Sequence, residues 1–294
     1  MKDKILKKNI IFVVNPISGD IDKSDLLNAV EEFSAINNFN LLVYETVGEK
    51  DAHAIQSLYD EYKPDRIVVA GGDGTIKMVA EAMEQHDIII GILPAGSANG
   101  LAVDLNLPTT LEENLNVAFL HHYIEMDMIS INGKKCIHLS DIGINADLVK
   151  NYEESDTRGF WGYAMQAYTT LKDSEEPFLA SVTANNQVVE HTARMIVIAN
   201  SQKYGTGVTI NPNGSMNDGK FELIILKSLD LVLLGMIITG NMPIDSDDIV
   251  IISTEKALVK TNRPVNFQID GEYCGVQKEL EIHILHEQMK IAVP

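Results

Sequence analysis

Five consecutive residues, Gly71-Gly72-Asp73-Gly74-Thr75, have the types and spacing of a phosphate-binding turn. They follow the apolar run 67–70, which predicts a buried strand, and they precede an amphipathic helix that is predicted to begin at Ile76. Glycines can take backbone angles closed to other residues and let a phosphate approach the main chain, while the helix start offers free N–H groups. The Asp73 carboxylate and a polyphosphate are both negative and repel each other unless a divalent cation lies between them. The turn therefore predicts a magnesium nucleotide as ligand.

Two further polar turns follow predicted strands. Asn15-Pro16-Ile17-Ser18-Gly19 comes directly after the apolar run 10–14, and Pro94-Ala95-Gly96-Ser97-Ala98-Asn99 follows the run 88–92 and opens another helix. Each sequence taken alone is an ordinary turn former. Three turns rich in Gly, Ser and Asn at the same edge of one sheet are unlikely to occur together by coincidence. Together they predict a nucleotide-binding crevice.

The elements that must position these turns alternate along the first third of the chain. Strands are predicted at 10–14, 41–44, 66–70 and 88–92, all mostly apolar, as expected of parallel strands covered on both faces. Helices are predicted between them, one of which begins near the N-cap candidate Ser24. The pattern predicts a doubly wound, Rossmann-like α/β domain over residues 1–124, in which ligands bind outside the carboxyl ends of the strands.

From about residue 123 onward the sequence changes to alternating residues with turn signals. Asn132-Gly133 and Asn185-Asn186 predict hairpins, and strand-like segments recur up to the C-terminus. We therefore expect a mostly antiparallel β domain over residues 125–294, with one helix near 160–171. A cleft is expected between the two domains, and the last strand is expected to pack back on the first domain.

Two turns of this second domain carry carboxylates. In Ser215-Met216-Asn217-Asp218-Gly219-Lys220, Asp218 and neighbouring carbonyls could hold a hard cation, although Asn-Asp-Gly is also a common hairpin turn. Asp270-Gly271-Glu272 offers two carboxylates around a glycine. One of them could accept a proton from an attacking hydroxyl while the other lies near magnesium, and taken alone this sequence is also simply a turn.

Composition and charge restrict the partners of the chain. Its 294 residues are 45% hydrophobic and 22% charged, which is typical of a globular protein. A net charge of -19 repels nucleic acid, and only the cluster Lys2, Lys4, Lys7 and Lys8 could attract phosphate head groups. The alternative interpretation of this cluster, a solvated basic tail before the first strand, is favoured. No secretory signal and no membrane-spanning stretch is recognised. We expect a cytoplasmic protein with peripheral, transient membrane contact.

The five motifs that begin at Asn15, Gly71, Pro94, Asn217 and Asp270 resemble, in the same order, those of the diacylglycerol kinase catalytic family. This family includes bacterial diacylglycerol and related lipid kinases and the sphingosine and ceramide kinases. The Gly-Gly-Asp-Gly-Thr element is shared with nicotinamide nucleotide kinases, whereas the turn that begins at Pro94 favours lipid kinases. The resemblance implies an ATP-binding α/β domain and a β-rich domain that receives the lipid.

The resemblance also implies roles for single residues. Glu272 would accept the proton with Asp270 beside it, and Asp73 would lie near the catalytic magnesium. A structural magnesium would be held by three residues of the second domain: Asp218, Ser215 and Lys220. The nucleotide would be contacted by residues of the first domain: Asn15, Pro16, Ser18, Gly19, Thr46, Gly71, Gly72, Asp73, Gly74, Thr75, Ser97 and Asn99.

Some residues depart from the family pattern and leave the acceptor open. The segment Gly96-Ser97-Ala98-Asn99-Gly100 is closer to the sphingosine and ceramide kinase version than to Gly-Thr-x-Asn-Asp of many bacterial members. The sequence predicts a lipid kinase that uses ATP and Mg2+ to phosphorylate a hydroxyl of a diacylglycerol-like lipid. The alternatives are a sphingoid-base or ceramide kinase, an NAD kinase-like soluble kinase, and a non-catalytic lipid-binding protein. The choice of base between Asp270 and Glu272, and a homodimer, also stay open.

Overall fold

The computed structural model describes residues 7–19, 22–97, 99–144, 146, 176–204, 208–228, 236 and 246–294. The chain forms two compact units, one comprising Met1–Met126 with Glu287–Pro294 and the other comprising Asp127–His286. The helix expected near 160–171 lies outside the described residues, as do Lys2 and Lys4 of the basic cluster. Among the described helices, none is both long enough and apolar enough to cross a bilayer.

The first unit is built on a parallel sheet, as predicted. Its strands are β1 (Asn9–Val14), β2 (Asn40–Glu45), β3 (Arg66–Gly71) and β4 (Ile89–Pro94), in the order β2-β1-β3-β4. The helices are α1 (Lys23–Ile36), α2 (Asp51–Tyr62), α3 (Asp73–Ala82), α4 (Gly100–Asp104) and α5 (Leu111–Leu120). One core joins β1 and β3 to α1 and α5 through Phe12, Val30, Val68 and Phe119. Because β1 and β3 lie inside this sheet, the turns that follow them are held on buried strands.

Two helices begin at residues other than those predicted. Helix α1 is capped by the carboxylate of Asp22, which accepts a hydrogen bond from the Ser24 N–H at 2.9 Å, so Ser24 lies in the first turn instead of at the cap. Helix α3 begins at Asp73, three residues before Ile76, and Gly72 is its N-cap. Only Gly72 therefore separates the end of β3 at Gly71 from the first residue of α3.

The glycines at this position do not use the left-handed backbone angles that glycine can adopt. None of Gly71, Gly72 and Gly74 has a positive φ. Gly71 is instead required by space, because a Cβ there would lie 2.6 Å from the Cβ of Thr75. The sequence signal for glycine was correct, but its physical cause is close packing of the strand end against the first turn of α3.

Helix α5 is fixed to the sheet by a buried cation. Arg66, which is 8% exposed, donates from Nη1 to the Ala118 carbonyl and from Nη2 to the His121 carbonyl, each at 2.8 Å. These carbonyls end α5, where the helix dipole favours a positive charge. Burial lowers the pKa of Arg66. The guanidinium thereby satisfies acceptors that the helix end leaves unpaired.

The second unit is a mostly antiparallel β structure, as predicted. The Asn132-Gly133 and Asn185-Asn186 hairpins are confirmed, and all four residues have positive φ, as a type I′ turn requires. Its core includes Phe178, Phe221 and Phe267. The remaining strands are β5 (Tyr123–Ile131), β6 (Lys134–Cys136), β7 (Leu139–Gly143), β8 (Phe178–Ala184), β9 (Gln187–Ala193), β10 (Met195–Ala199), β11 (Lys203–Tyr204), β12 (Val208–Thr209), β13 (Phe221–Leu226), β14 (Ile249–Thr254), β15 (Lys256–Ile269) and β16 (Glu272–Ala292).

The chain passes between the two units along two strands. β5 begins in the first unit, and β16 ends there, where Lys290 and Ile291 pair in parallel with Ile89 and Ile90 of β4. The Lys290 ammonium also bonds the Asp87 carboxylate at 2.5 Å, a contact that raises the pKa of Lys290. The C-terminus therefore supplies a strand to the sheet of the first unit.

Candidate active site

Three turns meet at the carboxyl edge of the first unit's sheet: turn 1 (residues 15–19), turn 2 (71–72) and turn 3 (94–99). The Ser18 hydroxyl of turn 1 donates to the Ala95 carbonyl of turn 3 at 3.0 Å. Gly19 allows this approach, because it has a φ of +59° and a Cβ there would lie 2.9 Å from the Ala95 oxygen. Residues that are 77 positions apart are thus in direct contact.

Turn 2 lies against turn 3 with no room for a side chain. A Cβ on Gly96 would lie 2.4 Å from the Cα of Gly72 and 2.9 Å from its nitrogen, and the Ala95 N–H donates to the Gly71 carbonyl at 3.1 Å. The Asn15 side-chain amide donates to the Thr75 hydroxyl at 3.0 Å and so ties turn 1 to α3. Turns 1, 2 and 3, together with the first turn of α3, form one structure, which we call the turn cluster.

The turn cluster presents donors without partners. Among the described residues, no acceptor is found for the backbone N–H groups of Asp73 and Gly74 or for the exposed Ser97 hydroxyl. A Cβ on Gly74 would meet no atom within 4 Å, so the space beside this helix start is open. Free amides at the positive end of a helix dipole are a common site for phosphate oxygens. The residues present therefore fit a polyphosphate.

The Asp73 carboxylate makes contacts with α4 that the sequence around Asp73 did not indicate. Its two carboxylate oxygens accept hydrogen bonds from the N–H groups of Gly100 at 2.8 Å and Leu101 at 3.0 Å. The negative charge thus caps the start of α4 and joins α3 to the segment that follows turn 3. Carboxylate oxygens retain further lone pairs, so these bonds are compatible with a nearby cation. The proximity of Asp73 to a catalytic magnesium stays a prediction.

Three other predicted nucleotide residues occupy the same edge. Asn99 has a φ of 54°, and its side chain bonds both the Gly96 N–H at 2.7 Å and the Gly96 carbonyl at 2.8 Å. Its amide is therefore used to fold turn 3. Thr46 follows β2 and donates its N–H to the Val14 carbonyl at 2.9 Å, and Pro16 is exposed in turn 1.

Asp51 fixes the segment that carries Thr46, and sequence reasoning missed it. Its carboxylate accepts hydrogen bonds from the Tyr44 hydroxyl at 2.7 Å, the Val47 N–H at 2.9 Å and the Gly48 N–H at 2.8 Å. Burial alone would raise the pKa of Asp51, but the hydrogen bonds from these groups lower it. Burial and the Asp51 carboxylate raise the pKa of Tyr44 to about 12. An acidic residue within a few positions of a strand end is the signal that could have identified it.

In the second unit, the two carboxylates of the Asp270-Gly271-Glu272 turn have different surroundings. Asp270 accepts hydrogen bonds from the Cys136 thiol at 3.3 Å, the Ile137 N–H at 3.2 Å and the His138 N–H at 3.0 Å. Glu272 is exposed, and its carboxylate has no hydrogen bond among the described residues. The Asp270 side chain therefore holds the β15–β16 hairpin against the β6–β7 connection, while the Glu272 carboxylate is available.

The predicted metal residues Ser215, Asp218 and Lys220 form one turn before β13. Asp218 is exposed, and one of its carboxylate oxygens accepts from the Lys220 N–H at 3.1 Å, which leaves the other oxygen for a ligand. One carboxylate with backbone carbonyls is an oxygen donor set that suits a hard cation. Within the described ranges, no group of three or more His, Cys, Asp or Glu side chains could hold a metal ion.

This turn is organised by a buried residue that sequence reasoning also missed. The side chain of Asp127 is 3% exposed, and it accepts from the Gly219 N–H at 2.8 Å, while the Asp127 N–H donates to the Met216 carbonyl at 2.7 Å. Asp127 lies between Met126 and Met128 in the buried part of β5. A charged residue at such a position is costly to bury without partners, and this is the signal that could have identified it.

Two family models match this chain. Residues 9–131 match the diacylglycerol kinase catalytic domain, and residues 141–292 match the YegS C-terminal NAD kinase beta sandwich-like domain. Relatives named "Probable lipid kinase YegS" from Escherichia coli (strain SMS-3-5 / SECEC) and Shigella boydii serotype 18 are 26% identical over 234 residues, which are 78% of this chain and 78% of theirs.

The fold is also similar to that of a solved structure. A crystal structure of diacylglycerol kinases from Bacillus anthracis str. Sterne superposes with a TM-score of 0.76 at 20% identity, and the match covers 98% of this chain and 97% of that one. The two matched domains follow each other along almost the whole sequence, and the predicted resemblance is confirmed. The chain therefore belongs to the family in which a diacylglycerol kinase catalytic domain is followed by a YegS-type C-terminal β-sandwich-like domain.

Proposed function

We propose that this protein is a lipid kinase that uses ATP and magnesium to phosphorylate a hydroxyl of a diacylglycerol-like lipid. The observation that best supports this proposal is the turn cluster. Its three turns are in contact, and its free N–H groups and open space lie at the carboxyl edge of a parallel sheet, where α/β folds bind nucleotides. The catalytic-domain match over residues 9–131 contains the whole cluster.

In this proposal the turn cluster binds the phosphates of ATP. The N–H groups of Asp73 and Gly74 and the Ser97 hydroxyl would donate to phosphate oxygens, and Asn15 would keep turn 1 in place through Thr75. When bound, magnesium would neutralise phosphate charge and so lower the barrier to transfer. Most of the acceleration would come from positioning and electrostatics, as in other phosphoryl transfers.

Glu272 is the better candidate for the residue that accepts the hydroxyl proton. A general base needs a free lone pair at the reacting proton, and the Glu272 carboxylate is exposed and makes no hydrogen bond to the described residues. Protonation of Asp270 would weaken bonds from three donors that hold its hairpin. We therefore assign Asp270 to positioning and Glu272 to proton transfer.

The acceptor is inferred from the family and from turn 3. The relatives are named lipid kinases, and turn 3 is the element that favoured lipid kinases over nicotinamide nucleotide kinases. Ser97 in this turn keeps sphingoid bases and ceramide among the candidate acceptors. We further propose that the protein works in the cytoplasm and contacts the bilayer only peripherally and transiently.

The direct test is phosphoryl transfer by the purified protein. It is given labelled ATP, magnesium and mixed micelles that contain diacylglycerol, ceramide or a sphingoid base, with NAD as a water-soluble acceptor in parallel. We expect a labelled phospholipid from diacylglycerol. Glu272→Gln should lower kcat by at least about 100-fold, as expected of a general base, and should leave ATP affinity unchanged. Glu281→Gln, an exposed position on the same strand, is the matched control.

The other outcomes identify the alternatives. Product from NAD and from no lipid would establish a dinucleotide kinase. Product from ceramide or a sphingoid base alone would keep the lipid kinase and replace its acceptor. Binding to lipid vesicles without any ATP consumption would establish a non-catalytic lipid-binding protein and would refute the proposal.

A further inference from the structure

Lys23 joins two turns that are far apart in sequence. Its ammonium donates to the Ser18 carbonyl of turn 1 at 2.7 Å and to the Ala95 carbonyl of turn 3 at 3.0 Å. The Ala95 oxygen is the same atom that accepts the Ser18 hydroxyl. No motif in the sequence singled out this lysine, because its contacts depend on the fold. Its side chain is therefore part of the turn cluster.

The position of Lys23 is unfavourable for a cation by local criteria. It is the first residue of α1, where the helix dipole favours negative side chains such as Asp25 in the same turn. Burial among the turns also lowers the pKa of Lys23, because it disfavours the charged form. A residue that opposes both local preferences is expected mainly at a functional site.

The ammonium changes the electrostatics of the cluster. The two carbonyl oxygens that it binds carry partial negative charge and would repel a polyphosphate in the same cluster. A lysine has three N–H donors, of which two are used here, so one donor and a full positive charge remain. In a chain of net charge -19, a local cation offsets the repulsion that ATP meets on approach.

We propose that Lys23 is a positioning residue of the nucleotide site, which holds turn 1 against turn 3 and supplies positive charge for the phosphates. This inference rests on the proposed function of the turn cluster as an ATP site. It adds a residue from outside the glycine-rich motifs, and it predicts that the contribution of Lys23 increases with the number of phosphates on the ligand.

The test is a comparison of nucleotide affinities by calorimetry with adenosine, AMP, ADP and a non-hydrolysable ATP analogue. Removing a charged hydrogen-bonding group from the site should weaken binding of the ATP analogue to Lys23→Met by about 10- to 100-fold. Adenosine affinity should change less than about two-fold, and AMP and ADP should lie between. Lys23→Arg, which keeps the charge, should recover most of the affinity for the ATP analogue.

Two further variants complete the design. Lys63→Met removes the same charge from an exposed position after α2 and should leave all four affinities unchanged. Lys23→Gln keeps an N–H donor without the charge, so it tests the proposal even where Lys23→Met does not fold. We expect Lys23→Gln to lose affinity for the ATP analogue in the same graded way.

The outcomes separate this inference from the proposed function. If the wild-type protein binds no ATP analogue, the proposed function itself fails. If the wild type binds it and Lys23→Met and Lys23→Gln bind it equally well, only the role of Lys23 is refuted. A parallel loss of adenosine and ATP affinity would also refute it, because a merely structural lysine would not distinguish ligands by their phosphates.

Discussion

Gly74→Ala should make the protein more stable and at the same time weaken its binding of ATP. Gly74 lies in the first turn of α3, has no positive φ, and has no atom within 4 Å of the position of a Cβ. The folded chain therefore accepts alanine without strain. In the proposed site, however, the same open space is where phosphate oxygens approach the helix start. The alanine methyl group would therefore occupy space that the phosphate needs, but it would contact no atom of the described residues.

The two effects have opposite signs and different sizes. Replacing a helical glycine by alanine stabilises a helix by at most about 1 kcal/mol, and less in the first turn, through the lower entropy of the unfolded chain. Forcing a methyl group into a filled space costs about 1–3 kcal/mol, which corresponds to about 5- to 150-fold in the dissociation constant. We therefore expect a small rise in unfolding free energy together with a large loss of nucleotide affinity.

Chemical unfolding and calorimetric titration with an ATP analogue measure these two quantities on the same sample. The control is Asn28→Ala, because Asn28 is an exposed residue of α1 and the substitution also improves helix propensity. It should raise the unfolding free energy by about 0.5 kcal/mol and leave nucleotide affinity unchanged. If Gly74→Ala binds the analogue as tightly as the wild type, phosphate does not lie at the start of α3, and the argument from open space is refuted.

Three further predictions concern the elements that position the site. Arg66→Met removes a buried cation from the carbonyls that end α5, and it should lower the urea unfolding free energy by about 2–4 kcal/mol; a change below about 0.5 kcal/mol would show that these carbonyls find other donors. Because the folded pKa of Tyr44 is raised from 10.0 to about 12, its stabilising contribution is complete below pH 10 and is lost as the pH rises toward 12. The stability of Tyr44→Phe should therefore fall less steeply over that window, and equal slopes would refute the assignment. Asp127→Ala leaves the Gly219 N–H without its buried acceptor and should lower the unfolding free energy by about 1–3 kcal/mol. It should also abolish any rise in melting temperature that magnesium produces in the wild type. A variant that magnesium still stabilises would contradict a link between Asp127 and the 215–220 turn.

The positions of the parallel strands and of the hairpins could be predicted because their signals are local. Continuous apolar runs marked β1, β3 and β4, and Asn-Gly and Asn-Asn pairs marked turns whose central residues must take positive φ. The start of α3 could not be predicted, because its first two residues, Asp73 and Gly74, are poor helix formers by themselves. Tertiary contacts fix the helix start there, including the hydrogen bonds that the Asp73 carboxylate accepts from the Gly100 and Leu101 N–H groups.

The sequence predicted the glycine-rich turns of the candidate site, but it did not predict the charged residues that hold these turns and the neighbouring segments in place. The three turns carry recognisable residues, whereas Lys23, Asp51 and Asp127 have no motif. Lys23 bonds an atom 72 residues away, and Asp127 bonds one 92 residues away. No window of sequence contains both partners of such a contact, so only the folded chain reveals which isolated charged residues support the site.

Completion of the first unit's sheet depends on residues of β16 that are synthesised long after its other strands. Glu287–Pro294 belongs to the unit that begins at Met1, and Lys290 and Ile291 extend a sheet whose other members are synthesised within the first hundred residues. In a nascent chain in which β4 has just been synthesised, the edge of β4 therefore stays unpaired until residues 290–291 have also been synthesised. A fragment that comprises only residues 1–126 would leave this edge of β4 exposed, and exposed strand edges favour aggregation. Producing the first unit with this edge covered requires residues 287–294, either placed before residue 1 in a permuted gene or appended directly after residue 126.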